Sequence, residues 1–144
     1  MANNYIQFSE LIENLNTDAC NWIKRILSAD ENSKWLKEEL ELSEDEELEN
    51  WPEFEWKLEK NQDGITNLWL YSNEFVYFAH VKYFVQALIR KFMPDYVFAL
   101  TAAEYCSRLR TREFGGHWMV ISRGEVTYGS TWGEIMKITK EVAK

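Results

Sequence analysis

Between Cys106 and His117 the chain gathers the residue types that do chemistry. They are a thiol at Cys106, guanidinium groups at Arg108, Arg110 and Arg112, a carboxylate at Glu113, the pair Gly115-Gly116 and an imidazole at His117. A thiol, an imidazole and a carboxylate are the parts of a nucleophilic site. Only residue type supports that reading, because Cys106 closes an apolar stretch, where a free cysteine behaves as a small hydrophobe. No catalytic residue is assigned, and the chain reads as non-enzymatic. The arginines suggest a second chemistry. At alternate positions they would point the same way on an extended backbone. The glycines would let that backbone approach a ligand closely, and the guanidinium fork suits phosphate or carboxylate. Arg108, Arg110, Arg112, Gly115, Gly116 and His117 are therefore an alternative site, that of a small anion- or nucleotide-binding domain or enzyme. The plainer reading is an exposed loop whose arginines balance acid elsewhere, with a bulge before a hairpin. The segment matches no phosphate-binding fingerprint.

The acid is concentrated. Residues 38–59 hold 11 Asp and Glu and one base, Lys57, for a local charge of −10 against −8 for the whole chain. The remainder is close to neutral, so one element supplies the entire excess. Such a field repels nucleic acid and attracts basic surfaces, which points to a protein partner rather than to direct nucleic-acid contact. The carboxylates Glu44, Asp45, Glu46, Glu47, Glu49, Glu53 and Glu55 are the candidate partner-binding set, with Trp51, Phe54 and Trp56 beside them as candidate aromatic anchors. A compact run of acid also imitates a phosphate backbone, which carries one charge per roughly 1.7 Å of duplex axis. A solubilising loop next to a solvated strand face accounts for the same residues. The arginines at 108–112 could also fold against this acid and compensate it.

No metal or cofactor is implied. The acidic spacing matches no EF-hand loop, and the glycine for its sharp turn is missing. His80 and His117 lie 37 positions apart and give no zinc spacing, so His80 reads as a core or polar-flank histidine. Cys20 and Cys106 have no CxxC pattern and read as reduced, buried thiols. The opening Met-Ala-Asn-Asn-Tyr has neither a basic nor an apolar signal region. The longest apolar stretch, 75–92, is broken by His80, Lys82, Gln86 and Arg90, so no membrane span is expected and a soluble, cytoplasmic protein is.

The elements that must position these groups follow from periodicity. A chain of 144 residues with 46% hydrophobic and 15% aromatic content is one domain with a core of its own. A helix is expected over 18–28, capped by Thr17, with Ala19, Trp22, Ile23, Ile26 and Leu27 inward. A weaker helix starts near Ser33. Over 38–53 the acidic segment is either a mobile loop or, through a Ser43-Glu46 capping box, a short helix. Phe54, Trp56 and Leu58 alternate with charged residues, and the turn Asn61-Gln62-Asp63-Gly64 leads to a returning strand over 65–71. Ser72 or Asn73 would cap the longest helix, with Phe78, Val81, Val85, Leu88 and Phe92 inward and Pro94 as its stop. Tyr96 to Cys106 reads as a strand, and a hairpin turns at Arg123-Gly124. A Thr131-Glu134 capping box then opens a C-terminal helix with Ile135, Ile138 and Val142 inward. The expected fold is a single α+β domain over 1–144. It would hold a mainly antiparallel sheet of about five strands, packed by one long central helix plus N- and C-terminal helices.

The opening Met1-Ala-Asn-Asn-Tyr-Ile-Gln-Phe-Ser-Glu10, with Cys106-Ser107 and Glu113-Phe-Gly-Gly116, resembles a group of small, acidic, uncharacterised bacterial proteins found among phage and mobile-element sequences. The resemblance covers these short motifs. It departs at His117, where the group has a third glycine. It implies a short α+β domain and no known activity. Read with the charge, it implies a regulator or inhibitor that binds a host protein in a nucleic-acid-handling defence complex through an acidic surface.

Overall fold

The computed structural model describes residues 3–143. The chain runs β1 (Asn4–Leu15), α1 (Thr17–Leu27), α2 (Lys34–Glu39), β2 (Glu55–Lys60), β3 (Thr66–Ser72), α3 (Phe78–Phe92), β4 (Phe98–Cys106), β5 (Gly115–Ile121), β6 (Val126–Ser130) and α4 (Thr131–Val142). The six strands form one antiparallel sheet in the order β2-β3-β1-β4-β5-β6. Its first four strands with α1 and α3 follow the split βαβ order, and the β5-β6 hairpin extends one edge.

The sheet therefore has six strands rather than five, and the additional one is central. β1 pairs with β3 on one side and β4 on the other. Its alternation is interrupted, because Glu10 stands where Phe8 and Ile12 would lead one to expect an apolar residue, and its carboxylate accepts the Thr101 N–H at 3.3 Å. Nor does one central helix with two terminal ones describe the helices. There are four among the described residues, and a strand precedes the first of them.

Helix starts differ from the expected caps. Asn16, not Thr17, caps α1, its Oδ1 accepting the Ala19 N–H at 2.8 Å. Ser72 remains in β3 and donates its hydroxyl to the Ile6 carbonyl, so α3 begins at Phe78 without a side-chain cap. Ser130 rather than Thr131 caps α4, its Oγ accepting the Gly133 N–H at 3.0 Å. The turn after β2 forms as expected. Asn61 Oδ1 accepts from Asp63 and Ile65, and Gly64 takes φ 79°, where a side chain would be strained.

The core lies between one face of the sheet and the helices. Ala19, Trp22, Ile23, Ile26 and Leu27 of α1 meet Val81, Phe84, Val85 and Leu88 of α3 over Phe8, Ile12, Leu68, Leu70, Phe98 and Leu100. Trp22 stacks on Phe84 at 6.0 Å and meets Phe92 edge-on at 5.7 Å. Each Val, Leu, Ile or Phe side chain among them, fully buried, contributes about 1.5–3 kcal/mol, so this layer holds the fold together. α4 stands outside it. No residue of α4 is buried, and Ile135, Ile138 and Val142, expected to face inward, are exposed. No helix among the described residues is long and apolar enough to cross a membrane.

Candidate functional site

The acidic segment is held against the body by three apolar side chains. Leu40, Leu48 and Trp51 are each under 10% exposed, and the Trp51 indole donates to the Ile26 carbonyl at 3.0 Å. Leu40 caps α2, and Glu41 follows at φ 57° with the Leu42 N–H returning to the Lys37 carbonyl, a Schellman-type ending built on a glutamate. The expected capping box at Ser43 and Glu46 closes a turn, and no helix follows. Glu46 Oε1 accepts from the Ser43 N–H at 3.0 Å and from its hydroxyl at 3.1 Å. These hydrogen bonds, with the Ser43 N–H first in importance, hold the Glu46 carboxyl below its usual range. The result is an acidic ledge tied to the body at Leu40, Leu48 and Trp51.

Close ion pairs among the described residues compensate the ledge at one end, and Lys82 acts on Glu46 from further away. Glu39 takes the Trp22 indole N–H at 3.1 Å, Lys91 at 2.9 Å and Arg25 at 3.8 Å, and the Trp22 bond is the leading cause of its lowered pKa. Glu41 pairs with Arg90 at 2.9 Å. Further along, Glu44, Asp45, Glu47 and Glu49 are exposed and have no ion pair among the described residues. Lys34 and Lys37 border the same depression as Glu47 and Glu49 without closing a bridge to them.

The aromatic anchors expected beside the acid are differently placed. Trp51 and Phe54 are core residues at 8% and 6% exposure, meeting edge-on at 6.2 Å, and Trp56 packs partly buried against the same core. Trp51 and Phe54 hold the ledge in place and present no aromatic surface to a partner, and Trp56 keeps part of its ring exposed. Glu53 and Glu55 accept from Asn50 and Asn73. The Glu53 backbone N–H donates to Nδ1 of His80, which is fully buried among Trp51, Tyr77 and Tyr83. Burial pushes the His80 pKa down, against the Glu53 carboxylate and the Glu47 backbone, so the ring is neutral.

The arginine segment does not assemble the geometry expected of an anion site. Residues 107–114 form a loop between β4 and β5, and Arg112 takes φ 64°, so the three side chains do not project from one extended run. Arg108, Arg110 and Arg112 are exposed, and the Arg112 guanidinium lies 5.9 Å from the Trp132 ring. The glycines make room for α4. A Cβ on Gly115 would come within 3.1 Å of Trp132, and one on Gly116 within 3.0 Å of the Thr131 hydroxyl. None of the three arginines pairs with the acid at 38–59 among the described residues.

His117 bonds Glu104 at 2.6 Å, a partner that the sequence did not suggest. His117 sits opposite Ala102, four residues before the buried Cys106, which puts thiol and imidazole roughly 13 Å apart along the strand at about 3.3 Å per residue. Both cysteines are free. No cluster of metal-ligating side chains occurs among the described residues. No protein-family model, curated protein or solved structure matches the chain.

Proposed function

We propose that this chain is a non-enzymatic binding protein that engages a basic protein surface through the ledge at Glu44, Asp45, Glu47 and Glu49. One observation carries the reading. Leu40, Leu48 and Trp51 fix the backbone while those four carboxylates remain exposed and unpaired among the described residues. Carboxylates held in advance meet a cationic surface without the ordering cost that a flexible acidic tail incurs. The Lys/Arg groove of a nucleic-acid-handling protein is the class of target that fits, since it is shaped to meet closely spaced phosphates. A regulator or inhibitor of such a complex is the corresponding role, as the resemblance to phage and mobile-element proteins implies.

The test is retention of host proteins at low and high salt by wild type and by a variant carrying Glu44→Gln, Asp45→Asn, Glu47→Gln and Glu49→Gln. Glu46 is left intact because it holds the Ser43 turn. A nucleic-acid-binding protein retained by wild type at low salt, released by salt and lost in a folded variant, is the expected result. Equal retention by both proteins would reject the ledge as the binding surface.

A further inference from the structure

The helices α1, α2 and α3 cover one face of the sheet, and the buried core lies on that face alone. On the opposite face stand Tyr5, Gln7, Ser9 and Leu11 of β1, Trp69 and Tyr71 of β3, Thr101, Ala103 and Tyr105 of β4, and Gly116, Trp118 and Val120 of β5, all exposed or half-buried. We propose that this open face is a homodimer interface, in which two copies of this chain pack sheet against sheet.

Charge is the first argument. Across β1, β3, β4, β5 and β6 the outward positions carry one charged side chain, Glu13, in a chain that is 28% charged. The water-facing side of an antiparallel sheet normally alternates to polar and charged residues, and here the polar ones, such as Gln7, Ser9 and Thr101, are uncharged and interleaved with aromatic rings. Two copies at −8 each repel, so the surface on which they can meet is the one whose centre carries the least charge. The acidic ledge is anchored to the helix-side core through Leu40, Leu48 and Trp51, and on the open face the charged residues Glu55, Lys57 and Glu59 stand only along the edge strand β2, beside Tyr71, Trp69 and Asn67. The same charge pattern argues against a basic partner at this face, which would find almost no acid there.

Shape is the second. Trp69 and Tyr71 stack at 3.9 Å between ring centroids and form a ridge on β3. The ridge forms one wall of a trough of about 630 Å³ whose floor is made of small side chains, among them Ser9, Thr101, Ala103 and Gly116, with Gln7 and Asn73 at its polar end. Beyond the trough, the Trp118 ring lies across Gly129, where a Cβ would fall within 2.6 Å of it. A two-fold axis can place the ridge of each copy in the trough of the other, making the same contact twice. A small polar ligand fits the trough less well, because three of its polar side chains are already engaged. Ser9 accepts the Trp69 indole N–H at 2.8 Å, Gln7 donates to the Asn73 carbonyl at 2.7 Å, and Asn73 donates to Glu55.

Area is the third. Five strands at about 4.8 Å spacing and about 20 Å length give a footprint of roughly 500 Å² per copy, or about 1,000 Å² for the pair, the size at which specific interfaces begin.

The test is the mass of the full chain in solution, by light scattering and sedimentation from micromolar to several hundred micromolar concentration. Wild type is expected at twice 17.2 kDa, with association unchanged or strengthened by salt. Thr101→Arg puts a charge into the trough at an exposed position, and Trp69→Lys removes the ridge. Each should weaken association at least about tenfold with an unchanged circular dichroism spectrum. If Trp69→Lys fails to fold, Thr101→Arg decides the matter alone. Ile138→Lys on α4 should leave the dimer intact. A wild-type monomer throughout, a dimer indifferent to Thr101→Arg, a dimer dissolved by Ile138→Lys, or a monomer that uses this face for a different protein would each overturn the proposal.

Discussion

The indole of Trp51 donates its N–H to the carbonyl of Ile26 at 3.0 Å, and through that bond the acidic segment is tied to the last turn of α1. Both residues are buried, at 8% and 0% exposure, so the hydrogen bond sits within an apolar contact and not at its wet edge. The most charged part of the chain is thus anchored by one of its most apolar. Sequence places the carboxylates, and Trp51, with Leu40 and Leu48, ties the segment that carries them to the body.

Replacing Trp51 should therefore detach the ledge as well as weaken the fold. Trp51→Ala is expected to cost about 3–5 kcal/mol through the cavity and lost burial. Trp51→Phe should cost less, roughly 1–2 kcal/mol, as a missing hydrogen bond and a smaller ring. Limited proteolysis of Trp51→Phe under native conditions should cut faster within residues 42–50 than in wild type. Equal cutting would show that Leu40 and Leu48 hold the segment without the indole.

His80 gives the stability a definite pH dependence. Burial lowers its pKa in the folded chain, so above the unfolded value of about 6.5 the ring is neutral in both states and its contribution is complete. As pH falls below that value the unfolded chain binds the proton first, and stability declines until the lowered folded pKa is passed. One proton sets the limiting slope at about 1.4 kcal/mol per pH unit. Urea midpoints measured from pH 8 to pH 5 should fall in wild type. They should fall less in His80→Gln, whose amide oxygen can still accept the Glu53 N–H. Parallel curves for the two proteins would remove His80 as the cause.

Arg112 holds a left-handed backbone at φ 64°, which costs a non-glycine residue about 1–2 kcal/mol. Its compensation is the guanidinium over Trp132 at 5.9 Å, an exposed contact of about 0.5–1 kcal/mol. Arg112→Gly is expected to leave the melting temperature unchanged or raise it by a few degrees, whereas Arg112→Ala keeps the strain, loses the contact and lowers it. A thermal melt of both variants checks the order.

Much of the helix-side architecture was legible because a single physical signal defined it. The inward positions of α1 and α3 follow from apolar spacing, and the β2-β3 hairpin from alternation plus Asn61 and Gly64. β1 was not legible, because Glu10 interrupts its apolar alternation and its pairing comes from strands about 60 and 95 residues away. The ledge was legible as charge and illegible as shape. Leu48 is a single apolar residue amid glutamates, and only its burial reveals it as an anchor. Trp51 and Phe54 were misplaced as surface anchors because adjacency to acid in the sequence carries no information about which face a ring takes. Gly115 and Gly116 gave a true signal of close approach, but the approaching groups are Trp132 and Thr131 of the same chain.

α4 is the element in which sequence pattern and structure part most clearly, and it yields the last prediction. Its stripe of Ile135, Ile138 and Val142 has helical spacing yet is 41%, 61% and 79% exposed. A twelve-residue helix is marginal alone in water, so something other than that stripe must hold it. The holding contacts are at its start. Ser130 caps it, and the Trp132 indole donates to the Phe114 carbonyl at 2.7 Å while its ring packs on Gly115. Ile138→Lys should then change the unfolding free energy by less than about 0.5 kcal/mol, as for other exposed positions. Trp132→Ala should release the helix and leave the sheet folded, since no core residue lies in α4. Amide hydrogen exchange separates the two cases. In Trp132→Ala the amides of 134–142 should lose protection while those of β1 and β4 keep theirs, and in Ile138→Lys both sets should remain as in wild type. Loss of protection in β4 on removing Trp132 would mean instead that α4 and the sheet unfold as one cooperative unit.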